Sequence, residues 1–376
     1  MKRIKVFLFL VLLFSFCLDS AYAQTPHDWW YTLERGKQFF RQGNYGNALI
    51  AFEDARRQRR SMYERMERDF IDLLSTREVR RLGDSLDFVE RYIHQHSFIT
   101  VAGILEELFY RFPGERFNNS VSAALSALGT LKDYPEAEYW IGEVYLAEGE
   151  LGLALSQFQR ALSMRSLLEN PGYAIEIMYK IANIRRVRQE FNEMERVLLS
   201  IVETDNLWAG GNTRQTASFE RQAMTRTLEN DGINRFLIMY RYGNTQSERA
   251  HRLLGFFYFN TGRHGRAQEH LMFSFLIQNT VIIDELIRRR HDFAFTTLEA
   301  LTAEIGNNRL ILDFIEEHEY YRTAYFLATS LFATGRRDSA RGIWTFLAAQ
   351  DRAGEWRTRA ASQLVNPRVE SAIEMP

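Results

Sequence analysis

The stretch PEAEYWIGEVYLAEGELGLALSQFQRAL, residues 135–162, decides the fold. Pro135 suits the first position of a helix, where the missing N–H has no intrahelical partner to lose. Ile141, Gly142, Tyr145 and Leu146 then recur at helical spacing. Gly149 stops that helix, and a second begins near Leu151. Its apolar stripe is Leu151, Ala154, Leu155, Phe158, Ala161 and Leu162. Small residues mark where two antiparallel backbones approach. Gly142 on the first helix and Ala154 on the second are expected to face each other, with Ile141, Tyr145 and Phe158 filling the space around them. Ala161 leaves room for a following helix. The stretch reads as a helical hairpin built to stack on another hairpin.

The same pattern recurs along the chain. Residues 29–55 repeat the roles with Gly36, Phe39, Gly43, Tyr45, Ala48, Phe52 and Ala55, and the second helix runs on toward Leu74. Capping-box spacing in Ser75-Thr76-Arg77-Glu78 predicts a new helix start. Residues 82–108 form a degenerate copy that ends before Pro113-Gly114, and a helix over about 121–131 leads into Pro135. Further copies span 173–201, 247–275 (Leu254, Gly255, Tyr258, Gly262, Ala267, Leu271) and 323–347 (Leu327, Ala328, Leu331, Gly335, Ala340, Trp344). A divergent hairpin over 219–242 is expected to turn at Asn230-Asp231-Gly232. A long helix over 281–305 is expected to turn at Gly306-Asn307-Asn308 into a return helix from Leu310. Ala48, Val101 and Ala154 recur every 53 residues, and Met194, Ala267 and Ala340 every 73. Residues 352–364 read as a closing helix.

This helix–turn–helix pattern resembles the tetratricopeptide repeat (TPR), a unit of about 34 residues. The resemblance covers most of residues 28–364 and implies an all-α fold. It would be a right-handed solenoid of about seven or eight stacked hairpins, several of them degenerate. The expected organisation is a leader at 1–23, the solenoid at 24–364 and a frayed tail at 365–376. Residues 204–216, with Ala209-Gly210-Gly211-Asn212, are the candidate place for a subdivision.

The first residues point to export. Lys2, Arg3 and Lys5 precede an apolar run from Val6 to Leu18, and Ala21-Tyr22-Ala23 precedes Gln24. This is the layout of a secretory signal peptide cleaved after Ala23. The run is shorter than the roughly 20 residues of a spanning helix. An uncleaved anchor is the alternative. Cys17 is the single cysteine, and Phe16 before it is too large for lipoprotein processing. The mature chain would then have no disulfide, thiol nucleophile or thiolate metal site, and the expected location is the periplasm or the outside of the cell. The whole chain has a formal net charge of −1. Removing three basic and one acidic residue with the leader makes it more negative, which argues against nucleic acid as the main partner.

A search for chemistry finds none of the common catalytic or phosphate-loop motifs. His94 and His96 are two apart and do not share a helix face. Glu316-Glu317-His318-Glu319 reads as a solvated helix end. Neither metal nor cofactor is expected, and the protein is not expected to be an enzyme. Arg56, Arg57, Arg59 and Arg60 form one basic cluster and Arg288, Arg289 and Arg290 another. They fit either a solvated helix face or contact with an anionic partner.

In tetratricopeptide proteins the first helix of each hairpin lines an inner groove. Residues three and four apart share a face. The resemblance therefore implies groove positions Tyr139 and Glu143, then Tyr179 and Arg186, Arg252 and Phe256, and Tyr325 and Phe332. Arginine and aromatic residues are enriched at binding hot spots. Two readings stay open: these side chains face a partner, or they fill the interior of a tightly wound superhelix. The implied function is a non-enzymatic scaffold of the bacterial cell envelope that binds a peptide segment or partner protein. The alternative is a carrier of a small hydrophobic ligand in the solenoid pore.

Overall fold

The computed structural model describes residues 29–75, 132–204, 208, 214–306 and 308–370. The leader with Cys17, the degenerate copy at 82–108 with Val101, His94 and His96, the capping box after Ser75, the helix at 121–131 and most of the 204–216 loop lie outside them. Among the described residues the chain is all-helical, with fourteen α-helices and no strand. Their contacts divide the chain into two compact units, Met1–Ile177 and Met178–Pro376.

The first unit contains α1 (Trp29–Arg41), α2 (Tyr45–Ser75), α3 (Pro135–Ala147) and α4 (Leu151–Ser163). Pro135 opens α3, as its sequence position requires. Gly149 ends it at φ 81°, and the Glu150 N–H reaches back to the Tyr145 carbonyl (2.8 Å). This is a Schellman turn, in which one left-handed residue lets the chain satisfy helix-end carbonyls before reversing. The α1–α2 turn repeats it at Gly43, with the Asn44 N–H on the Phe39 carbonyl.

The space at Gly142 is filled by Phe158, not by Ala154. A Cβ on Gly142 would stand 2.8 Å from the Phe158 ring, and one on Gly36 would stand 2.5 Å from Phe52. Ala154 is buried one turn before Phe158. The close approach thus pairs a glycine with a large ring sixteen residues on, a match the expectation of small against small overlooked.

The arginine cluster of α2 divides: Arg56 and Arg59 serve packing, while Arg57 and Arg60 lie on an exposed face. Arg56 and Arg160 pair with the buried carboxylate of Glu138 at 3.1 and 3.2 Å. Arg59 is buried with its guanidinium 4.6 Å over the Tyr134 ring, and Arg57 and Arg60 pair with Asp54 and Asp133. Arg288, Arg289 and Arg290 of the second unit are likewise paired, with Glu285, Asp292 and Glu304.

Helix α5 (Gly172–Val187) carries the division between the units. The second unit continues with α6 (Phe191–Val202), α7 (Arg214–Met239), α8 (Thr245–Asn260) and α9 (His264–Arg289). It closes with α10 (Leu298–Ala303), α11 (Arg309–Glu317), α12 (Tyr320–Ala333), α13 (Arg337–Ala348) and α14 (Glu355–Val365). The α5–α6, α8–α9 and α12–α13 turns repeat the Schellman pattern, at Gln189, Gly262 and Gly335. Gly255 meets Leu271, again sixteen residues on, with a Cβ placed 2.5 Å from its side chain.

The turn expected at 230–232 is present: two helical segments of α7 meet at Gly232, which takes φ 80° and ψ 177°, and the chain reverses there, bringing Thr227 to the Tyr240 hydroxyl (3.3 Å). Two other expected boundaries differ. No helix spans 281–305: residues to Arg289 extend α9, and the short α10 starts again at Leu298, capped by the Thr297 hydroxyl. The expected frayed tail is tied down as far as Glu370, as described below.

Helix α9 is the axis of this unit. Helices α7, α8, α11 and α12 pack on it, and from His270 to Thr280 every residue is buried. It is long and apolar enough to cross a membrane, but its apolar window is mostly covered by these neighbours. A helix apolar on all sides needs such a sheath. Several of its polar residues are satisfied within the unit: Asn279, for example, donates to the Phe275 carbonyl and accepts from the Tyr320 hydroxyl.

Candidate functional site

The sequence-derived groove residues fall into two groups. Arg252, Phe256 and Tyr325 come together in the second unit, around the N-terminal half of α12. The others do not join them. Tyr139 is buried in the first unit against Trp140, Phe158 and Tyr173, and its hydroxyl donates to Glu176 (2.7 Å). Glu143 is half-buried on α3. Tyr179 is half-buried beneath the Arg249 guanidinium, donating to the Gln246 carbonyl and accepting from the Ala250 N–H. Arg186 bonds Asn183 on its own helix, and Phe332 packs on Trp344 at 5.6 Å.

Tyr139, Arg252, Phe256 and Tyr325 are at most 7% exposed. They do not form an open ladder of contact residues, which corrects that reading. The alternative raised by the sequence holds at these four positions: the side chains fill space between helices. The physical reason is their size. An aromatic ring on the inward face of one hairpin meets the next helix before it meets solvent. Phe256 packs on Phe326 (5.7 Å), and Phe326 also receives Phe259 (5.0 Å) and Tyr325 (5.2 Å).

Arg252 belongs to a buried polar network that sequence reading missed. Its centre is Glu248 on α8, 1% exposed. Its carboxylate accepts from Ser274 (2.8 Å) and Gln278 (2.8 Å) of α9, from His318 (2.7 Å) and from Arg252 (3.3 Å). Burial alone would raise the Glu248 carboxyl. The hydrogen bond from His318, the charge of Arg252 and the Ser274 hydroxyl outweigh it and hold the group below its ordinary value. Arg252 reaches on to Glu319, which also takes Arg322 at 2.6 Å. The Arg322 guanidinium lies 4.7 Å over the Phe256 ring.

Glu319 is the residue before α12 and has φ 49° and ψ 42°. A non-glycine residue in this left-handed region is held there against a cost of about 1 kcal/mol or more. Its two arginine partners supply the hold. The signals for this network were present in sequence: Glu248 and Arg252 are spaced i, i+4, and Ser274 and Gln278 are polar at the same spacing in an apolar helix. In the Glu316–Glu319 run, expected to be solvated, Glu316 and Glu317 are exposed, whereas His318 and Glu319 tie α8 to α12.

The network backs an open cleft of about 570 Å³ between α11, α12 and the start of α14. Leu312, Ile315 and Ala353 supply apolar wall and Tyr321 and Trp356 supply rings, while Tyr320 turns its ring into the core against Phe275. Glu316, Glu319 and Glu355 face it together with Arg322 and Arg352. Such a mixture of guanidinium donors, carboxylate acceptors and aromatic faces suits a peptide, whose backbone and side chains present all three complements. A second, polar depression of about 400 Å³ lies beside α7 and α9. Its charges neutralise each other, Arg336 on Glu229 and Arg221 on Glu269. Among the described residues no group of three or more His, Cys, Asp or Glu stands together in a way that could hold a metal ion.

No model of a known protein family matches this chain. The chain is similar to an uncharacterized protein of Treponema pallidum (strain Nichols), 26% identical over 338 residues, which cover 90% of either chain.

Proposed function

We propose that this protein is a non-enzymatic scaffold of a bacterial cell envelope, built as a right-handed solenoid of TPR-like hairpins, that holds a peptide segment or partner protein. The repeated Schellman turns and the glycine-to-ring spacing of sixteen residues support the solenoid. The leader sequence supports export, and the similarity to a Treponema pallidum protein supports the bacterial setting. The single observation that carries the binding role is the cleft on the N-terminal half of α12. There two arginines, three glutamates and the rings of Tyr321 and Trp356 converge on space that the chain leaves open. The contact surface is thus assigned to Tyr321, Arg322, Arg352, Glu355 and Trp356, in place of the buried ladder. The hydrophobic-carrier alternative rests on Leu146, Phe256, Phe259 and Phe332; of these Phe256 and Phe259 are spent on packing with Phe326, while Leu146 and Phe332 are half-buried.

The test is comparative purification from the native envelope. Wild-type protein and an Arg352→Ala, Glu355→Ala variant are isolated in parallel under the same conditions. Both side chains are exposed, so stability should hold. The expected result is a partner retained in stoichiometric amount by the wild type and at least about tenfold less by the variant. Equal retention by both, or a bound lipid in place of a partner, overturns the assignment.

A further inference from the structure

We propose that Tyr325, Gln363 and Arg359, with Trp356 beside them, form a recognition site for an acidic side chain on an extended peptide, and that the chain's own Glu370 occupies it as an internal competitor. This rests on the peptide-binding reading of the neighbouring cleft and names the chemistry of the ligand.

The seat's groups are held by contacts between α12 and α14. With the tail in place Tyr325 is fully buried on α12 and Gln363 is 3% exposed on α14. The Gln363 amide donates to the Tyr325 oxygen at 3.1 Å and so aims the tyrosine O–H outward. Arg359, one turn earlier on α14, lies 4.7 Å over the Trp356 ring and 5.0 Å over Tyr325. Stacking fixes the guanidinium plane and leaves its edge free to meet a carboxylate.

After α14 the chain leaves as extended backbone and returns one carboxylate to this seat. Glu370 accepts from the Tyr325 hydroxyl at 2.6 Å and pairs with Arg359. The Gln363 oxygen takes the Arg368 N–H at 2.8 Å. The site therefore reads one backbone N–H and, two residues on, one carboxylate. This is how a protein reads an extended acidic segment.

Among the described residues of the tail the hold is polar. Val365 at the end of α14 and Val369 after it are exposed at 87% and 43%. A ligand anchored without apolar burial is readily exchanged for one that adds it. Such a ligand has somewhere to go: Trp356 is shared between the Tyr325 seat and the open cleft. A partner segment that puts Asp or Glu on Tyr325 and Arg359 can continue across Trp356 into the cleft, which the tail does not enter at any described residue.

The experiment uses the full chain and a fluorescein-labelled peptide copying residues 366–376, followed by anisotropy. Glu370→Ala empties the seat in cis. The expected result is that the Glu370→Ala protein binds the peptide about tenfold or more tightly than wild type does. Adding Arg359→Ala should remove that gain, and so should a peptide with glutamine in place of Glu370. Equal binding by wild type and Glu370→Ala, or no binding by either, overturns the proposal. So does indifference to Arg359→Ala. Arg352→Ala, placed in the Glu370→Ala background, separates the two readings. Peptide binding that survives it stands even if the cleft loses its assigned role, while loss of the envelope partner without peptide binding leaves the cleft and removes this site.

Discussion

At the scale of single residues, the buried polar groups carry the sharpest consequences. Glu248 satisfies four donors at once, one of them the guanidinium of Arg252. Removing it leaves a buried cation short of its counter-charge. Glu248→Ala should cost about 3–5 kcal/mol of stability, read from urea or thermal unfolding. Glu248→Gln, which keeps the side-chain shape and one acceptor oxygen but loses the charge and the second acceptor, should cost less. A second consequence concerns acid. His251 and His270 are buried with their Nδ1 atoms 3.1 Å apart, one ring donating to the other, among Trp208, Tyr258 and Phe273. Burial lowers both, with the charges of Arg221 and Arg266 adding to it at His270, which falls to about 3. The unfolded chain therefore binds protons in the window below about 6.5 that the folded chain refuses. Their contribution is complete above that value and is lost as pH falls toward 3. Thermal melts from pH 7 to pH 5 should fall, with a slope of up to about 1.4 kcal/mol per pH unit for each histidine. His264, also lowered by burial, adds to the slope. A His270→Leu variant should flatten it; an unchanged slope means the pair is not its source.

At the scale of elements, one turn and one contact build the hairpins. The left-handed turn residue is glycine in four of the five described Schellman turns and Gln189 in the fifth. No side chain or backbone approaches Gly149, so Gly149→Ala tests backbone conformation alone and should cost about 1 kcal/mol. Gln189→Gly should be neutral to stabilising by up to about 1 kcal/mol, relief of the left-handed strain being partly offset by glycine's entropy. Gly255 is a different case, since an added methyl would overlap Leu271. Gly255→Ala should cost about 1–3 kcal/mol through overpacking. Thermal melts of the three variants give the ranking, and an order with Gly149→Ala worst would reject the packing argument. Much of this was legible beforehand: Pro135, Gly149, Gly262 and Gly335 announce their roles. The Gly142–Phe158 match was not, because sequence spacing shows which faces meet but not which side chains fill the gap between them.

At the scale of the whole molecule, the testable claim is export. Cleavage between Ala23 and Gln24 should leave a mature N-terminus at Gln24, read by N-terminal sequencing. A terminus at a lipid-modified Cys17 would instead make the protein a lipoprotein, and a terminus at Met1 would leave it anchored. The site has its own lesson at this scale. Helical spacing and the resemblance singled out Arg252, Phe256 and Tyr325 in the sequence, as positions open to a partner. Their burial was not legible, because it depends on helices distant in sequence: Arg322 closing over Phe256, and α14 with the tail closing over Tyr325. The Glu316–Glu319 run looked solvated for the same reason, since its partner Glu248 is some 70 residues away in the chain.

Sequence by itself determined that this protein is helical, where most hairpins turn and which residues share a face. Those properties are set by neighbours within one or two turns of the chain: a proline without an N–H, a glycine free to take positive φ, an apolar residue every third or fourth place. The tertiary structure alone decided which of those faces stay open. Whether an arginine or a tyrosine meets solvent, a partner or another helix depends on non-local packing. Here that packing buried the aromatic ladder, opened a cleft beside it, and returned the chain's own Glu370 to Tyr325 and Arg359.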